Sequence, residues 1–380
     1  MDFDLTAEQR KLYDETLAAV RDRLPGQPRA TAGAHFDRSE WRVAAELGLT
    51  GLCLPIEHGG QGLGALDTAL ALEAFGRGCS DTGLVFGVAA HLLACAVPIR
   101  DFGAPGERDR LLSGLAAGDL IAANAMTEDD AGSDVGRLST KATADGDGYM
   151  LDGEKSFASN APLADLFVTY AVTDPAAGFL GTTAFVVPAG DPNVEVGEPM
   201  AKMGLWGCPA GRVRFAGCRV PGSAVLGRRG QGGRVFQHSM GWERACLFGL
   251  YLGVLQEQLD RCVAHARDRR QFGSPIGAFQ AVSHRIATMS QRLVAARLLL
   301  YRACWLLDEG RDHRSAAAMS KIAVSEAAVA NGVDAVQIFG GSGYLWSTGI
   351  ERQLRDAVPA TIFSGSNEIQ RELLAREAGL

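Results

Sequence analysis

The sequence lacks the residue patterns that build most metal centres and the common hydrolase and nucleotide sites. HExxH, paired CxxC and EF-hand spacing do not occur in its 380 residues, so we expect no metal site. Asp145-Gly146-Asp147-Gly148 has the composition of a calcium loop, but its strand-like neighbours favour a plain hairpin turn. GxSxG ahead of a helix, GxxxxGK(S/T) and a strand-linked GxGxxG are absent as well. These absences exclude a serine-hydrolase elbow and the usual glycine-rich phosphate loops.

A basic surface is also missing, because 44 acidic residues outnumber 37 basic ones and leave a net charge of −7. This balance argues against nucleic acid as a partner. The eight cysteines form no CxxC pair and mostly lie in apolar runs, as reduced core cysteines do. The opening Met1-Asp2-Phe3-Asp4 is acidic and unlike a secretory signal. The longest apolar run, Gly83 to Ile99, contains His91 and is short for a membrane span. We therefore expect a cytoplasmic protein without a membrane partner.

What the sequence does contain is a helical beginning, a strand-rich middle and a helical end. Helical periodicity covers most of the first 115 residues, strand-like runs fill about residues 120 to 226, and helical periodicity returns from Gln231. Because strands and helices do not alternate, this order argues against a Rossmann or barrel fold. We predict an α+β protein with an N-terminal helical domain (1–118), a middle β-barrel-like domain (119–228) and a C-terminal four-helix bundle (229–380).

Several elements are predicted closely enough to be tested. Thr6 and Gln9 have the spacing of a capping box, which predicts a helix that begins after Thr6. The run from Lys141 to Leu151 predicts a hairpin with a glycine turn. The C-terminal domain is predicted to contain three long helices, over Met240 to Arg267, Ala278 to Leu307 and Ala316 to Ile338.

The segment from Asn124 to Val135 joins the helical and strand-rich regions and holds amides, hydroxyls and a glycine in close order. Such a loop can present backbone N–H groups to an electron-rich ring edge or to a pyrophosphate. A plain polar connector explains the same composition equally well. The residues of this segment, taken alone, leave both interpretations open.

Five segments together resemble the acyl-CoA dehydrogenase flavoprotein family. The first, Thr127 to Asp134, is similar to the family's T-E-x-x-A-G-S-D signature. The other four follow in the family's order and spacing, at Gly153 to Asn160 (GEKSFASN), Arg269 to Gly273 (RRQFG), Gln337 to Tyr344 (QIFGGSGY) and Gly365 to Arg371 (GSNEIQR). One such motif is weak support, but five in register cover essentially the whole chain. The resemblance implies the family's three-domain fold and FAD as the cofactor.

The resemblance also implies a role for each matching residue. Met126 and Thr127 correspond to contacts with the pyrimidine edge of the flavin, and Ser133 to a contact with the FAD pyrophosphate. Phe157 corresponds to an aromatic packed on one face of the flavin, and Ser159 to a hydroxyl near flavin N5. The other implied cofactor contacts, several of them to FAD held by a neighbouring subunit, are Arg269, Phe272, Gln280, Gln337, Gly341, Ser366 and Glu368.

Each of these residues has an ordinary structural explanation when it is taken singly. Phe157 fits a core position, Arg269 fits a surface ion pair and Gly341 fits a helix end. Their joint occurrence favours the cofactor site. Because a neighbour completes that site, the resemblance also implies a homo-oligomer, in this family a homotetramer.

The catalytic base is displaced from the position that many family members use. Their glutamate precedes the Gly of the C-terminal motif, where this chain has Ser364, whose neutral hydroxyl cannot act as the base. Glu243 lies 26 residues before Arg269, the offset at which isovaleryl-CoA dehydrogenase carries its glutamate, and about 39 Å from it along a helix. Pairing with Arg244 is disfavoured because adjacent helical residues do not face each other. We predict that Glu243 is the base, with a pKa raised by burial, and that Ser364 contributes its main-chain amide beside the substrate.

Three segments resemble the subgroup that oxidises L-proline held as a thioester on a peptidyl carrier protein: Ser239 to Phe248, Cys208 to Gly211 and Thr361 to Gly365. This resemblance implies α,β-dehydrogenation of a prolyl thioester towards a pyrrole-2-carboxyl thioester in natural-product biosynthesis. It implies a phosphopantetheinylated carrier protein as partner and an electron-transfer flavoprotein or O₂ as electron acceptor. Trp242, beside the base, is predicted to narrow the substrate pocket or else to belong to the core. Two alternatives stay open, a short- or branched-chain acyl-CoA dehydrogenase and a non-catalytic family member.

Overall fold

The structure, a computed structural model, describes residues 3–24 and 36–380, so Met1 and Asp2 of the acidic opening lie outside it. The predicted capping box is confirmed: the Gln9 backbone N–H donates to Thr6 Oγ1, and the Thr6 backbone N–H donates to Gln9 Oε1. The helices of the N-terminal region are α1 (Ala7–Arg23), α2 (Arg38–Glu46), α3 (Ala65–Gly78), α4 (Thr82–Ala90), a π-helical segment (His91–Ala96), α5 (Val97–Phe102) and α6 (Pro105–Ala116).

The continuous run Thr82–Phe102 forms the centre of the N-terminal region. It is long and apolar enough to cross a membrane, with a mean hydropathy of 1.9, but its apolar window is entirely buried inside the fold. The stretch Arg314–Tyr344 meets the same criteria with half of its window buried. His91 is satisfied within the core, because its Nδ1 accepts from the Ala122 backbone N–H and its Nε2 lies 3.2 Å from the Leu115 carbonyl oxygen. Burial lowers the pKa of His91 to about 4, so this link between helix and sheet is uncharged at neutral pH.

The middle region is an eight-stranded sheet with the order β6-β7-β3-β2-β4-β5-β8 and with β1 paired in parallel to β4. Its strands are β1 (Ala122–Ala125), β2 (Lys141–Asp145), β3 (Gly148–Ser159), β4 (Leu166–Val172), β5 (Thr182–Pro188), β6 (Val194–Val196), β7 (Ala210–Val220) and β8 (Val225–Leu226). The predicted hairpin is confirmed, since Asp145 pairs with Gly148 across a two-residue turn.

The C-terminal region is helical. It contains α7 (Gly232–Trp242), a second π-helical segment (Glu243–Leu247), α8 (Gly249–Asp268), a small hairpin of β9 (Arg270–Gln271) and β10 (Ser274–Pro275), α9 (Gln280–Asp308), α10 (Arg314–Phe339), α11 (Ile350–Ala357) and α12 (Asn367–Glu377). The long helix predicted from Met240 to Arg267 differs from the structure in two respects. The helical run begins earlier, at Gly232, and it changes to π geometry at Glu243.

Close backbone packing fixes α8 against α3. A Cβ atom at Gly253 would lie 2.0 Å from the Glu73 carbonyl oxygen, and one at Gly249 would lie 2.5 Å from that of Ala69. Only glycine allows this approach. The order helices, sheet, helices confirms the predicted α+β class, and one hydrophobic core joins helices of both ends to one face of the sheet. All eight cysteines are buried and free, and the described residues contain no cluster of His, Cys, Asp or Glu that could hold a metal.

Candidate active site

A cavity of about 500 Å³ lies where the two helical regions meet the sheet. Its walls come from α4 and the π segment after it, from β1 and the loop that follows, from β3 and α7, and from the segment that leads into α12. This volume is in the usual range for a small-molecule or cofactor site. The three parts of the fold therefore converge on one cavity.

A buried ion pair holds the loop after β1 in shape. Glu128 and Lys155 are 5% and 0% exposed, and the distance between Oε1 and Nζ is 2.8 Å. Glu128 also accepts two backbone N–H groups and one hydroxyl from residues 139 and 140, and Lys155 donates to the carbonyl oxygens of Met126 and Tyr170. Burial raises the pKa of Glu128, but Lys155 and the hydrogen bonds outweigh it and lower that pKa to about 2. The pair thus fixes the backbone beside the cavity.

Strand β1 turns alternate side chains to the cavity, as the period of a strand requires. Ala122, Asn124 and Met126 line the cavity, whereas Ala123 and Ala125 pack into a separate core on the other face of the sheet. In the described part of the chain, no donor or acceptor contacts the buried Oδ1 atom of Asn124. The cavity wall therefore contains one polar side chain whose oxygen is unpaired.

Helix α7 and the π segment bring Glu243 to the cavity. Phe236, Met240 and Glu243 all line it, at the i, i+4, i+7 spacing of one helical face. Glu243 is 8% exposed and is the first residue of the π segment, a geometry that is frequent at functional sites. Within that segment the Ala245 carbonyl accepts from Cys304 Sγ of α9 at 3.1 Å. A neighbouring helix therefore helps to hold the segment that carries the carboxylate.

Ser364 places the C-terminal motif against Glu243. The backbone is left-handed at Ser364 (φ 57°) and at Gly365 (φ 83°), and across this turn Ser364 Oγ donates to Glu243 Oε1. The Ser364 carbonyl accepts from Arg244 Nε at 2.8 Å and from Gln370 Nε2 at 3.3 Å. The main-chain role predicted for Ser364 is therefore incomplete, because its hydroxyl contacts the carboxylate directly.

The electrostatic environment suits Glu243 to proton transfer. Burial raises its pKa, and the Ser364 hydroxyl and the Arg244 charge lower it in part. Glu243 and Arg244 form no direct ion pair in the described ranges, since the Arg244 guanidinium donates to the Ser364 carbonyl instead. A carboxylate with a pKa moved towards neutrality is a suitable general base.

The structure brings together only some of the predicted site residues. Those that line the cavity are Met126, Thr127, Ser133, Phe157, Ser159, Glu243, Ser364 and Ser366. Those that lie elsewhere, all of them exposed, are Arg269, Phe272, Gln280, Gln337, Gly341 and Glu368. Phe272 is 95% exposed beyond the far end of α8. The contact of the first five of this second group with a neighbouring subunit's cofactor stays a prediction, and so does the cofactor contact of Glu368.

Trp242 is not among the residues that line the cavity and packs, partly buried, against the hydrophobic core, which is the second of the two places predicted for it. Its ring packs against the Arg100 guanidinium, with 4.7 Å between the ring centroid and Cζ. Neighbouring helical residues point about 100° apart, so a helix that turns Glu243 inward turns Trp242 away. The bulky side chains that line the cavity from the same helical face as Glu243 are those of Phe236 and Met240.

The lining residues that sequence reasoning missed include Asn124, Phe236, Met240 and Arg244. The spacing of Phe236 and Met240 relative to Glu243 was a usable signal, and so was the two-residue offset of Asn124 from Met126. Arg244 had no such signal, because its partner is 120 residues away in the chain.

The cavity wall fits a flavin. Thr127, Ser133, Ser159 and Ser366 supply hydroxyl groups along it. Phe157 has a left-handed backbone (φ 57°) and is 63% exposed on this wall. An aromatic ring exposed in this way offers a face on which a flat heterocycle can stack.

Family models and solved structures define the class of this protein. Residues 6–119, 123–218 and 230–379 match the N-terminal, middle and C-terminal domains of acyl-CoA dehydrogenase. The chain therefore belongs to the acyl-CoA dehydrogenase family, a family of FAD-dependent acyl-thioester dehydrogenases.

Two relatives and one solved structure are similar to this chain over its full length. An L-prolyl-(peptidyl-carrier protein) dehydrogenase of Pseudomonas fluorescens is 51% identical over 385 residues, with both chains fully covered. An enzyme of the same name from a Serratia species is 43% identical and covers 100% of this chain and 99% of its own. A structure described as PigA with FAD and proline superposes with a TM-score of 0.96 at 42% identity and full coverage of both chains.

Proposed function

We propose that this protein oxidises an L-prolyl thioester carried by a peptidyl carrier protein and converts it to a pyrrole-2-carboxyl thioester. The observation that carries the proposal is the buried Glu243 carboxylate on the wall of a cavity that fits a flavin. The names of two relatives, at 51% and 43% identity, support the prolyl carrier substrate. Ser364 stands at the position of the alternative glutamate, so Glu243 is assigned as the base.

In this proposal Glu243 removes the proton from the α-carbon of the thioester. Burial favours its neutral form, so the carboxylate is a stronger base than an exposed glutamate. Ser364 orients that carboxylate through its hydroxyl, and Arg244 orients Ser364 through its carbonyl. Bound FAD would supply the acceptor for the hydride that leaves the β-carbon. Because a saturated ring becomes a pyrrole by loss of four electrons, two rounds of two-electron oxidation are required.

Met126, Thr127, Ser133, Phe157, Ser159 and Ser366 are proposed to hold the cofactor. The fixed backbone at Met126 and the exposed face of Phe157 support this assignment. Arg269 and Phe272 are proposed to contact the cofactor of a neighbouring subunit in a homotetramer. Their exposure, beyond the opposite end of the helical run from Glu243, supports an interface there.

A second cavity supports a carrier-bound substrate with a phosphorylated arm. This space of about 490 Å³ shares Gln237 and Arg244 with the first and is also lined by Arg234, Arg314 and the acidic Asp101. Cationic side chains at the approach to a site attract an anionic ligand.

We propose a cytoplasmic location and an electron-transfer flavoprotein or O₂ as the terminal electron acceptor.

The test is anaerobic mixing of the purified holoenzyme with prolyl carrier protein and with a panel of acyl-CoA thioesters. Loss of flavin absorbance only with the prolyl carrier supports the proposal. Loss with free short- or branched-chain acyl-CoA instead supports a catabolic dehydrogenase, such as the human short-chain relative that is 36% identical over 340 residues. A yellow protein that reacts with none of these thioesters is a non-catalytic family member.

A further inference from the structure

Asn124 is the feature of the cavity that the proposed mechanism does not use. It lies on β1, two residues before Met126, and strand alternation places both side chains on the cavity wall. Two residues of a strand span about 7 Å. If Met126 lies beside the flavin, Asn124 therefore lies on the same wall, separated from Met126 by about the width of one small ring.

The side chains that share this part of the wall are small or apolar. Ala90 and Ala94 line the cavity from the α4 run, Ala122 precedes Asn124 on the same face of β1, and Phe86 lines the cavity one turn before Ala90. The carboxamide of Asn124 is therefore a polar group in an apolar stretch. Polar groups at such positions set the orientation of a ligand.

The Asn124 oxygen has no hydrogen-bond donor. Oδ1 is buried, and no described residue donates a hydrogen bond to it. Buried side-chain polar atoms in folded proteins are nearly always paired, and an unpaired one weakens the fold. No hydrogen bond within the described residues fixes the carboxamide in this orientation, so it can turn towards a ligand in the cavity.

We propose that the Asn124 carboxamide accepts a hydrogen bond from the ring nitrogen of a cyclic amino-acyl substrate and so selects prolyl over carbocyclic and straight-chain acyl groups. This inference rests on the proposed function. Apart from its thioester, a prolyl group has one polar atom, the secondary amine, which donates an N–H in both its neutral and its ammonium forms. A half-turn about the Cβ–Cγ bond exchanges Oδ1 and Nδ2, so the acceptor can be presented to the cavity.

The direct test compares two thioesters on the same carrier protein, prolyl and cyclopentanecarbonyl. The carbocycle keeps the ring size and the α- and β-hydrogens but lacks the N–H. We expect wild-type holoenzyme to reduce its flavin about tenfold to a hundredfold more efficiently with the prolyl group, as loss of one hydrogen bond to a charged donor implies. Equal efficiency with both groups overturns the role of Asn124 and leaves the proposed function intact. No reaction with either group overturns both.

Two variants assign the preference to this residue. Asn124→Leu has similar volume but no acceptor, so the ratio of the two efficiencies should fall towards one. Asn124→Asp keeps an acceptor oxygen and should keep the preference. An unchanged ratio in Asn124→Leu contradicts the inference.

A measurement of FAD affinity separates the substrate from the cofactor as the source of the N–H donor. Weakened FAD binding in Asn124→Leu, with an unchanged thioester ratio, assigns the carboxamide to the flavin and overturns a role in substrate selection. If Asn124→Leu does not fold, the smaller Asn124→Ala, which also lacks the acceptor, gives the same comparison of the two thioester efficiencies.

Discussion

Replacement of Ser364 by alanine removes the hydroxyl that donates to Glu243 Oε1. That hydrogen bond stabilises the carboxylate form, so its loss raises the pKa of Glu243 beyond the increase that burial already produces. The base must be ionised to accept a proton, and the rate therefore falls as the pH drops through this pKa. We expect the acidic limb of the pH–rate profile to move to higher pH.

The size of the shift follows from the hydrogen bond. A bond to a charged group contributes about 1.5–3 kcal/mol, and each pKa unit corresponds to about 1.4 kcal/mol. The acidic limb should therefore move by about one to two units. The charge of Arg244 and its bond to the Ser364 carbonyl do not depend on the hydroxyl and are expected to remain.

The assay is the rate of anaerobic flavin reduction, measured as kcat/KM against pH for wild type, Ser364→Ala and Ser364→Gly. Both variants lack the donor, but glycine also relieves the left-handed backbone at this position, so the two should share the pH shift and differ in thermal stability. Ser113→Ala, at an exposed serine of α6, is the matched control and should leave the profile unchanged. An acidic limb that stays in place in both Ser364 variants refutes the assigned contact.

Three further substitutions test other parts of the site. Glu243→Gln should retain FAD but slow flavin reduction by about 10²–10⁴-fold, and a nearly normal rate would remove Glu243 as the base. Lys155→Met leaves Glu128 buried without its partner and should lower the free energy of unfolding by about 3–5 kcal/mol, seen as a lower melting temperature. The control, Arg214→Met, breaks an exposed ion pair and should lower that free energy by less than about 1 kcal/mol. Tyr170→Phe removes a buried hydroxyl that has no partner within the described residues, so melting should be unchanged or raised by the equivalent of about 1 kcal/mol, and a marked loss would reveal a missing partner.

Local periodicity and motif spacing predicted the features that depend on nearby residues. The capping box at Thr6 and the hairpin at Asp145 follow from a few adjacent side chains. The contact between Ser364 and Glu243 joins residues 121 positions apart, and it depends on a left-handed turn that sequence alone does not specify. The π segment was missed for a similar reason, because one of its carbonyls bonds to Cys304 on another helix.

Trp242 illustrates an alternative that the sequence left open. Its position beside Glu243 in the chain suggested a position beside it in space, although consecutive helical side chains diverge. Asn124 illustrates the reverse, since its offset from Met126 already placed both on one face of a strand. In that instance the geometry was available from the sequence, but β1 has only four residues and shows little alternation.

The π segment at Glu243–Leu247 lies between α7 and α8 in the long helical run. One residue more than an ordinary turn is accommodated there, so the phase of everything downstream is offset by about 100° relative to an unbroken α-helix. Deleting a single residue within the segment would restore regular winding and leave Arg269 at nearly the same angle from Glu243, because the lost residue and the lost offset cancel; deleting one residue elsewhere in the run would rotate Arg269 by about 100°. The angle between the buried Glu243 carboxylate and the exposed Arg269 thus depends on the five-residue π segment as well as on the number of residues between them.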